Sequence, residues 1–380
     1  MWDVAVVGAG PAGAAAARAA AVGGARTLLL DRATPPRYKR CGGGLLGLSQ
    51  DLSGIDLGGP DAGGVVRSVA TTVTVTLDGR ARWSRSASAP LIRFVMRDAF
   101  DAALVAAAQE AGAELRPEVL VTGVTESSSG ARVSVRDGAE IRARYVIGAD
   151  GVSSRLAAHV GVTSRQTDLG LEAEFRATPE QRRRWADRLL LDWGPVPGSY
   201  GWLFPKDDLL TVGVIGAAGA EGLRRYYRDF VGRLGMRDPL VDGGHRTHVR
   251  RPDSPLVSAA GRVLVVGDAA GWLEPWTREG ISFALRSGRL AGEAVAADDP
   301  GRYVRSAEAA LASEQVAGSR VLASFVANPA AFHAALASPL GWREFRKVLD
   351  GTSSLAGLVG RRSVRAALGL LAPVSRSDPA

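Results

Sequence analysis

Short, unbroken apolar runs punctuate this chain, and each ends in a turn rich in glycine. Val4-Ala5-Val6-Val7 predicts a buried strand, and the alanine-rich stretch after it predicts a closely packed helix. Thr27-Leu28-Leu29-Leu30 predicts a second strand. From Thr72 to Leu77 the pattern changes to strict alternation, with Val73, Val75 and Leu77 against threonines, which predicts a half-buried strand. Phe100, Leu104, Ala107, Ala108 and Ala111 then recur at helical spacing after Arg97. Short strand-like runs fill Val119 to Tyr145, Val263-Leu264-Val265-Val266 is a further buried run, and Gly280 to Ala297 with most of the remainder reads as helix. A proline- and glycine-rich stretch from Pro35 to Gly64 predicts a long functional loop.

Three of these strands deliver a glycine signature. Gly8-Ala9-Gly10-Pro11-Ala12-Gly13 follows the first strand and opens the first helix, the context a dinucleotide fingerprint needs. Gly8 permits the turn, Gly10 lets backbone approach a pyrophosphate, and Gly13, beside Ala12, lets helix and strand pack closely. Asp31 ends the second strand, where an acid would accept from a ribose hydroxyl. Arg32 follows it, which alone leaves NADP open at this position. Gly148-Ala149-Asp150-Gly151 and Gly267-Asp268-Ala269-Ala270-Gly271 decide for FAD, because two more strand-end acids suit an extended cofactor with a ribityl chain.

Composition narrows the class. At 380 residues the chain exceeds one ordinary core, so two domains or one with large insertions are expected. The longest apolar stretches, Ala102 to Ala108 and Leu368 to Val374, fall short of the ~18 residues that cross a bilayer, and Met1-Trp2-Asp3 carries no leader pattern, so a cytoplasmic protein is expected. Cys41 is the only cysteine, which excludes an internal disulfide and thiolate metal clusters. His245 and His248, three apart, would share a face on a helix, but no third metal ligand accompanies them. The net charge of +8 is carried by arginine. Arg343, Arg346, Lys347, Arg361, Arg362, Arg365 and Arg376 outnumber Glu344, Asp350 and Asp378 near the C-terminus, which reads either as a solvated helix face or as a peripheral contact with anionic lipid. Nothing accompanies the arginines that would read nucleic acid.

With these signatures placed, the chain resembles the flavin-dependent monooxygenase superfamily and, within it, the geranylgeranyl reductases. Pro36-Arg37-Tyr38-Lys39-Arg40-Cys41-Gly42-Gly43-Gly44-Leu45 looks like their cysteine-and-glycine loop, and Tyr200-Gly201-Trp202-Leu203-Phe204-Pro205 looks like their YxWxFP motif. The glycine pair that follows that motif is spaced one residue wider here, as Gly213-Val214-Ile215-Gly216. The resemblance implies an α/β protein with a Rossmann-like FAD domain of the glutathione-reductase and flavin-monooxygenase type, an inserted antiparallel sheet that holds substrate, and a helical C-terminal region. Residues 1–63, 94–160 and 251–300 would bind FAD, 64–93 and 161–250 would form the substrate domain, and 301–380 the helical region. It also implies an FAD-dependent oxidoreductase that reduces carbon–carbon double bonds of a geranylgeranyl or polyprenyl substrate with hydride from reduced flavin, its electrons coming from NAD(P)H or a ferredoxin. The alternative is a monooxygenase or halogenase that tailors a small natural product.

The chemistry then falls on few residues. Cys41 is the candidate proton donor, since a thiol is mostly protonated at neutral pH; a buried, inert packing role is the alternative. Gly42, Gly43 and Gly44 either make a flexible turn or let the loop backbone approach the flavin ring, which side chains would prevent. Arg97 matches the superfamily arginine near the pyrophosphate, Asp150 and Asp268 hold the extended cofactor, and Gly280 and Ile281 begin a helix whose amides would face the flavin. Tyr200, Trp202 and Phe204, two apart on a strand, would wall an apolar substrate channel at a strand end.

Overall fold

The computed structural model describes residues 1–58 and 64–371. Trp2–Val7 lies at the centre of a largely parallel sheet, between Thr27–Leu30 and Glu140–Gly148, with Glu114–Arg116 outside the former. Glu140–Gly148 is long enough to take two neighbours on its other side. Its first half pairs with Gly130–Val135 in a hairpin, and its last residues pair in parallel with Val263–Val265. That arrangement brings the ends of three glycine-bearing strands to one edge.

Small residues let the helices behind them meet backbone to backbone. A Cβ on Gly288 would lie 2.1 Å from Ala12 O, and one on Gly292 would lie 2.3 Å from Ala16 O, so Ile281–Ala296 and Pro11–Val22 pack closer than larger side chains would allow. The first fingerprint is thereby fixed against the helix that follows the third.

A second sheet runs in the order Val241–Arg250, Ser164–Arg176, Leu209–Ala217, Tyr200–Lys206, Arg188–Trp193, Thr72–Leu77, Arg80–Ser86. It is antiparallel except where Thr72–Leu77 pairs in parallel with Arg188–Trp193, a departure from the expected all-antiparallel insertion. The reason is connectivity: those two strands come from separate segments, and no hairpin joins them. One face of this sheet is covered by the helix Leu223–Arg233 and holds a core of Trp185, Leu203, Val212, Val214, Tyr226 and Phe230. Trp193, Tyr200, Trp202 and Phe204 occupy the opposite face, so the aromatics of the 161–250 segment divide between the two.

The stretch from Pro35 to Gly64 is not one open loop. It contains the strand Gly44–Leu46, which joins Ile92–Val95 and Val66–Ala70 in a three-stranded sheet, and the helix Gly47–Ser53. The C-terminal region, from Ile281 to Leu371 among the described residues, is mostly helical. Its helix Pro339–Leu349 buries Phe345 and Leu349. Much of its charge is internally paired, since Arg343, Lys347 and Arg361 all reach the Glu344 carboxylate and Arg346 faces Asp350. Arg376 and Asp378, counted in the tail's charge, and the end of the Leu368–Val374 stretch lie outside the described residues. Among the described residues no helix is long and apolar enough to cross a membrane.

Candidate functional site

The three signatures converge on one cradle. Gly8 takes a positive φ of 104°, and a Cβ there would meet Ala149 O at 2.3 Å, so the first and second signatures touch. A Cβ on Gly267 would sit 2.8 Å from the Ala12 Cβ, which joins the third. Gly13 has no room at all: its Cβ would lie 1.7 Å from Gly8 O. Gly10 differs, because the nearest atom to a Cβ there is Arg37 Nη2 at 3.7 Å, leaving open ground overlooked by a cation. The space and charge fit a pyrophosphate.

The acids around this cradle are not equally free. Asp31 accepts the amides of Ala9 (2.7 Å) and Ala33 (2.8 Å), which ties the fingerprint turn to the second strand, and Arg37 Nε lies 3.7 Å away; Arg32 is exposed. Asp150 caps the helix Arg155–Val160 through Ser154 Oγ and the Arg155 amide, and burial raises its pKa. The Asp268 carboxylate accepts no hydrogen bond among the described residues, and its Oδ1 faces Gly280, so it could accept from a cofactor hydroxyl. At the start of Ile281–Ala296 the Ser282 amide is capped within the turn. Glu279 accepts from the Ser282 amide (2.7 Å) and hydroxyl (2.5 Å), and burial raises its pKa.

The Cys41 loop packs over the second sheet. Gly42 lies against Trp202 and Phe204, where a Cβ would be 3.0 Å from the Phe204 ring and 3.2 Å from Trp202 Nε1. Gly43, at φ +69°, accommodates Lys206 and Val95 O. Its amide reaches Cys41 Sγ at 3.4 Å, and Lys206 Nζ donates to Cys41 O at 3.3 Å. Gly42 is thus required by the rings beneath it and Gly43 by Val95 O, whereas a Cβ on Gly44 would meet its neighbours only at 3.5 Å or more. Arg97 is buried. It chelates Asp101 at 2.9 and 3.1 Å and lies beside Cys41; burial opposes its charge, but Asp101 and Cys41 outweigh that and raise its pKa. Beneath the loop, Glu172 is almost wholly buried, and burial pushes its pKa up to about 7 despite nearby Lys206.

Between loop and sheet lies a cavity of roughly 1080 Å³, its mouth included. Cys41, Gly42, Gly43, Gly44, Gly280 and Ile281 line one part. Tyr200, Trp202 and Phe204 form a continuous aromatic wall, with successive ring centroids 6.0 and 6.2 Å apart. They run inward from Tyr200, which opens the strand Tyr200–Lys206. Gly213, directly opposite Trp202, gives the indole its space, since a Cβ there would be 2.4 Å from Trp202 Cζ2. Tyr200 donates to Thr277 O, which fixes the wall to the turn before Gly280. His245 and Thr247 also line the cavity; burial lowers the His245 pKa to about 4, keeping the ring neutral. His245 and His248 lie on the strand Val241–Arg250, not a helix, where odd spacing turns them to opposite faces. No metal-binding group of side chains occurs among the described residues.

Sequence reasoning missed several of these residues. Arg37 was visible only as part of a loop motif. Lys206, Glu172 and His245 come from separate strands, and their meeting required the sheet register. Trp276 and the helix residues Phe345, Val348 and Leu349 also line the cavity; the last three stand at i, i+3 and i+4, a signal the arginines of that segment obscured.

The sequence profile of the FAD binding domain family matches residues 1–182. A chloroplastic geranylgeranyl diphosphate reductase of Oryza sativa is 32% identical, over 77% of this chain and 66% of that one. A digeranylgeranylglycerophospholipid reductase 1 of Methanopyrus kandleri is 31% identical, over 77% of this chain and 80% of that one. Among solved structures, a geranylgeranyl bacteriochlorophyll reductase-like protein of Thermoplasma acidophilum superposes with a TM-score of 0.79, at 21% identity over 97% and 99% of the two chains. A flavin-dependent brominase shares the fold with a TM-score of 0.73, at 18% identity over 98% of each chain.

Proposed function

The chain belongs to the geranylgeranyl reductase family of FAD-dependent oxidoreductases, and from that premise we propose that it saturates carbon–carbon double bonds in a long isoprenoid. The observation that carries the proposal is the cavity itself: its wall of Tyr200, Trp202 and Phe204 is apolar and begins at the Cys41–Gly44 loop, beside the cofactor cradle. An extended prenyl chain suits that wall.

Reduced FAD, where bound, would supply the hydride for one alkene carbon and be oxidised by two electrons. The other carbon needs a proton, and Cys41 is the proposed donor because it lines the cavity. Arg97 beside the sulfur and the Gly43 amide would stabilise the thiolate left behind. Trp202, seated on Gly213, holds the alkene in place, since hydride transfer tolerates little misplacement. Gly10, Arg37 and Asp268 would hold the cofactor, with Gly8, Gly13, Asp31 and Gly267 shaping its cradle. NAD(P)H or a ferredoxin would restore the electrons. Residues 1–63, 94–160 and 251–300 would form the FAD-binding unit, 64–93 and 161–250 the substrate unit and 301–380 the helical region.

The test is stopped-flow mixing of anaerobically reduced holoenzyme with geranylgeranyl diphosphate. Return of oxidised-flavin absorbance without oxygen is expected; reoxidation by oxygen alone would favour a monooxygenase or halogenase. A peripheral membrane contact is proposed on Leu340, 58% exposed, beside Arg343 and Arg346. Leu340→Glu should weaken binding to anionic vesicles, and unchanged binding would reject that contact.

A further inference from the structure

We infer that the helix Pro339–Leu349 sets the length of isoprenoid the cavity accepts, with Phe345 as its end wall. The inference rests on the isoprenoid reading above and names a part of the substrate site.

The axis of the cavity follows from strand register. His245, Gly170, Ile215, Tyr200 and Trp193 are successive cross-strand partners on one row of the second sheet. Four strand spacings separate the ends of that row, about 19 Å. Near its start the His245 ring lies over Gly170, where a Cβ would be 2.8 Å from the imidazole. From the far end the wall turns off the sheet: the Trp193 and Trp276 ring centroids are 6.1 Å apart, and those of Trp276 and Phe345 are 6.0 Å apart. The cavity lining includes the cradle residues Gly280 and Ile281 and, at the end of this chain of rings, Phe345.

Phe345, Val348 and Leu349 present one face of the helix to the cavity. The helix is held firmly enough to act as a fixed boundary. Arg85 Nη2 donates to Ala337 O just before it at 2.8 Å, and Trp342 lies edge-on to Trp83 at 6.3 Å. Its other end abuts Gly47, where a Cβ would be 2.1 Å from Asp350 O. An alkene must lie beside the cradle to receive hydride, so the chain beyond it must fit between the cradle and Phe345. The position of Phe345 then fixes how many prenyl units that segment holds.

Two variants move the boundary in opposite directions. Phe345→Ala opens the end, and Val348→Phe narrows the flank without leaving a void. Anaerobically reduced holoenzymes would be given geranyl, farnesyl, geranylgeranyl and octaprenyl diphosphate, with saturated product measured by mass spectrometry. Phe345→Ala is expected to shift relative kcat/KM toward longer chains and Val348→Phe toward shorter ones. Each shift should be tenfold or more, since one methylene in an apolar pocket changes discrimination by about 10–200-fold. A wild type that reduces prenyl substrates, together with variants that keep its length profile, overturns this inference alone. A wild type that reduces none overturns the isoprenoid reading, and the inference falls with it. Should Phe345→Ala fail to fold, the Val348→Phe profile decides.

Discussion

Replacing Glu172 with glutamine should reverse part of the protein's pH dependence. The carboxyl is 2% exposed beneath the Cys41 loop, and Oε2 has no hydrogen-bond partner among the described residues. Lys206 from the Tyr200–Lys206 strand, Glu174 on its own strand, Lys39 from the loop and Arg97 from the helix Arg97–Glu110 act on it, and Tyr38 and Tyr227 feel its charge. Desolvation dominates and raises its pKa from 4.5 to about 7, which corresponds to about 3 kcal/mol. Between those values the folded state keeps a proton that the unfolded state releases. Stability contributed by this group is therefore intact below pH 4.5, falls as pH rises toward 7, and is lost above it. Glutamine mimics the protonated form, so Glu172→Gln should be the more stable protein at pH 8, by an amount on the order of 3 kcal/mol, with the difference shrinking toward pH 5. His245 contributes the opposite slope. Its pKa is lowered to about 4, so stability is lost as pH falls from 6.5, but both proteins share that term and it cancels in the comparison. Urea unfolding of the FAD-saturated proteins from pH 5 to 8 measures the difference. Parallel pH profiles for wild type and variant would refute the reasoning.

Gly10→Val and Gly13→Val should fail differently: the first leaves a folded apoprotein that lacks the flavin absorbance band, because space exists above Gly10, whereas the second should not fold against Gly8 O at 1.7 Å. Circular dichroism and the ratio of flavin to protein absorbance separate these outcomes, and full flavin content in Gly10→Val would contradict the cradle. Asp268→Ala should bind FAD at least tenfold more weakly, as loss of a charge-assisted hydrogen bond of about 1.5–3 kcal/mol requires; unchanged retention on dilution would remove Asp268 from the site. Cys41→Ser should keep its flavin and reduce normally, yet lose ten- to a thousandfold in the rate of alkene reduction, and Cys41→Ala should lose at least as much; a parental rate in both would leave Cys41 a packing residue.

Much of the cofactor cradle was legible because it is local. A glycine fingerprint, its strand and its helix are contiguous, so steric need at Gly8, Gly10 and Gly13 can be read without tertiary knowledge. Parity likewise placed Tyr200, Trp202 and Phe204 on one face. What escaped was long-range. Glu172 and Lys206 meet only once Ser164–Arg176 and Tyr200–Lys206 lie on either side of Leu209–Ala217, and Arg97 reaches Cys41 only once the helix after Val95 packs beneath the loop. Asp150 stood at the expected strand end, but its carboxylate is spent on its own turn. In the C-terminal region the charges drew attention from the apolar triplet Phe345, Val348 and Leu349, and deletion from Gly341 would remove part of the cavity wall as well as the basic surface.

Product mass tests the central claim most directly. Dithionite-reduced holoenzyme, incubated without oxygen with geranylgeranyl diphosphate in deuterated water, should yield a product in which each saturated bond has gained two hydrogens, at least one of them from solvent, with one flavin oxidised per bond in a single turnover. A product that appears only when oxygen is admitted and that carries an oxygen or halogen atom would contradict the account.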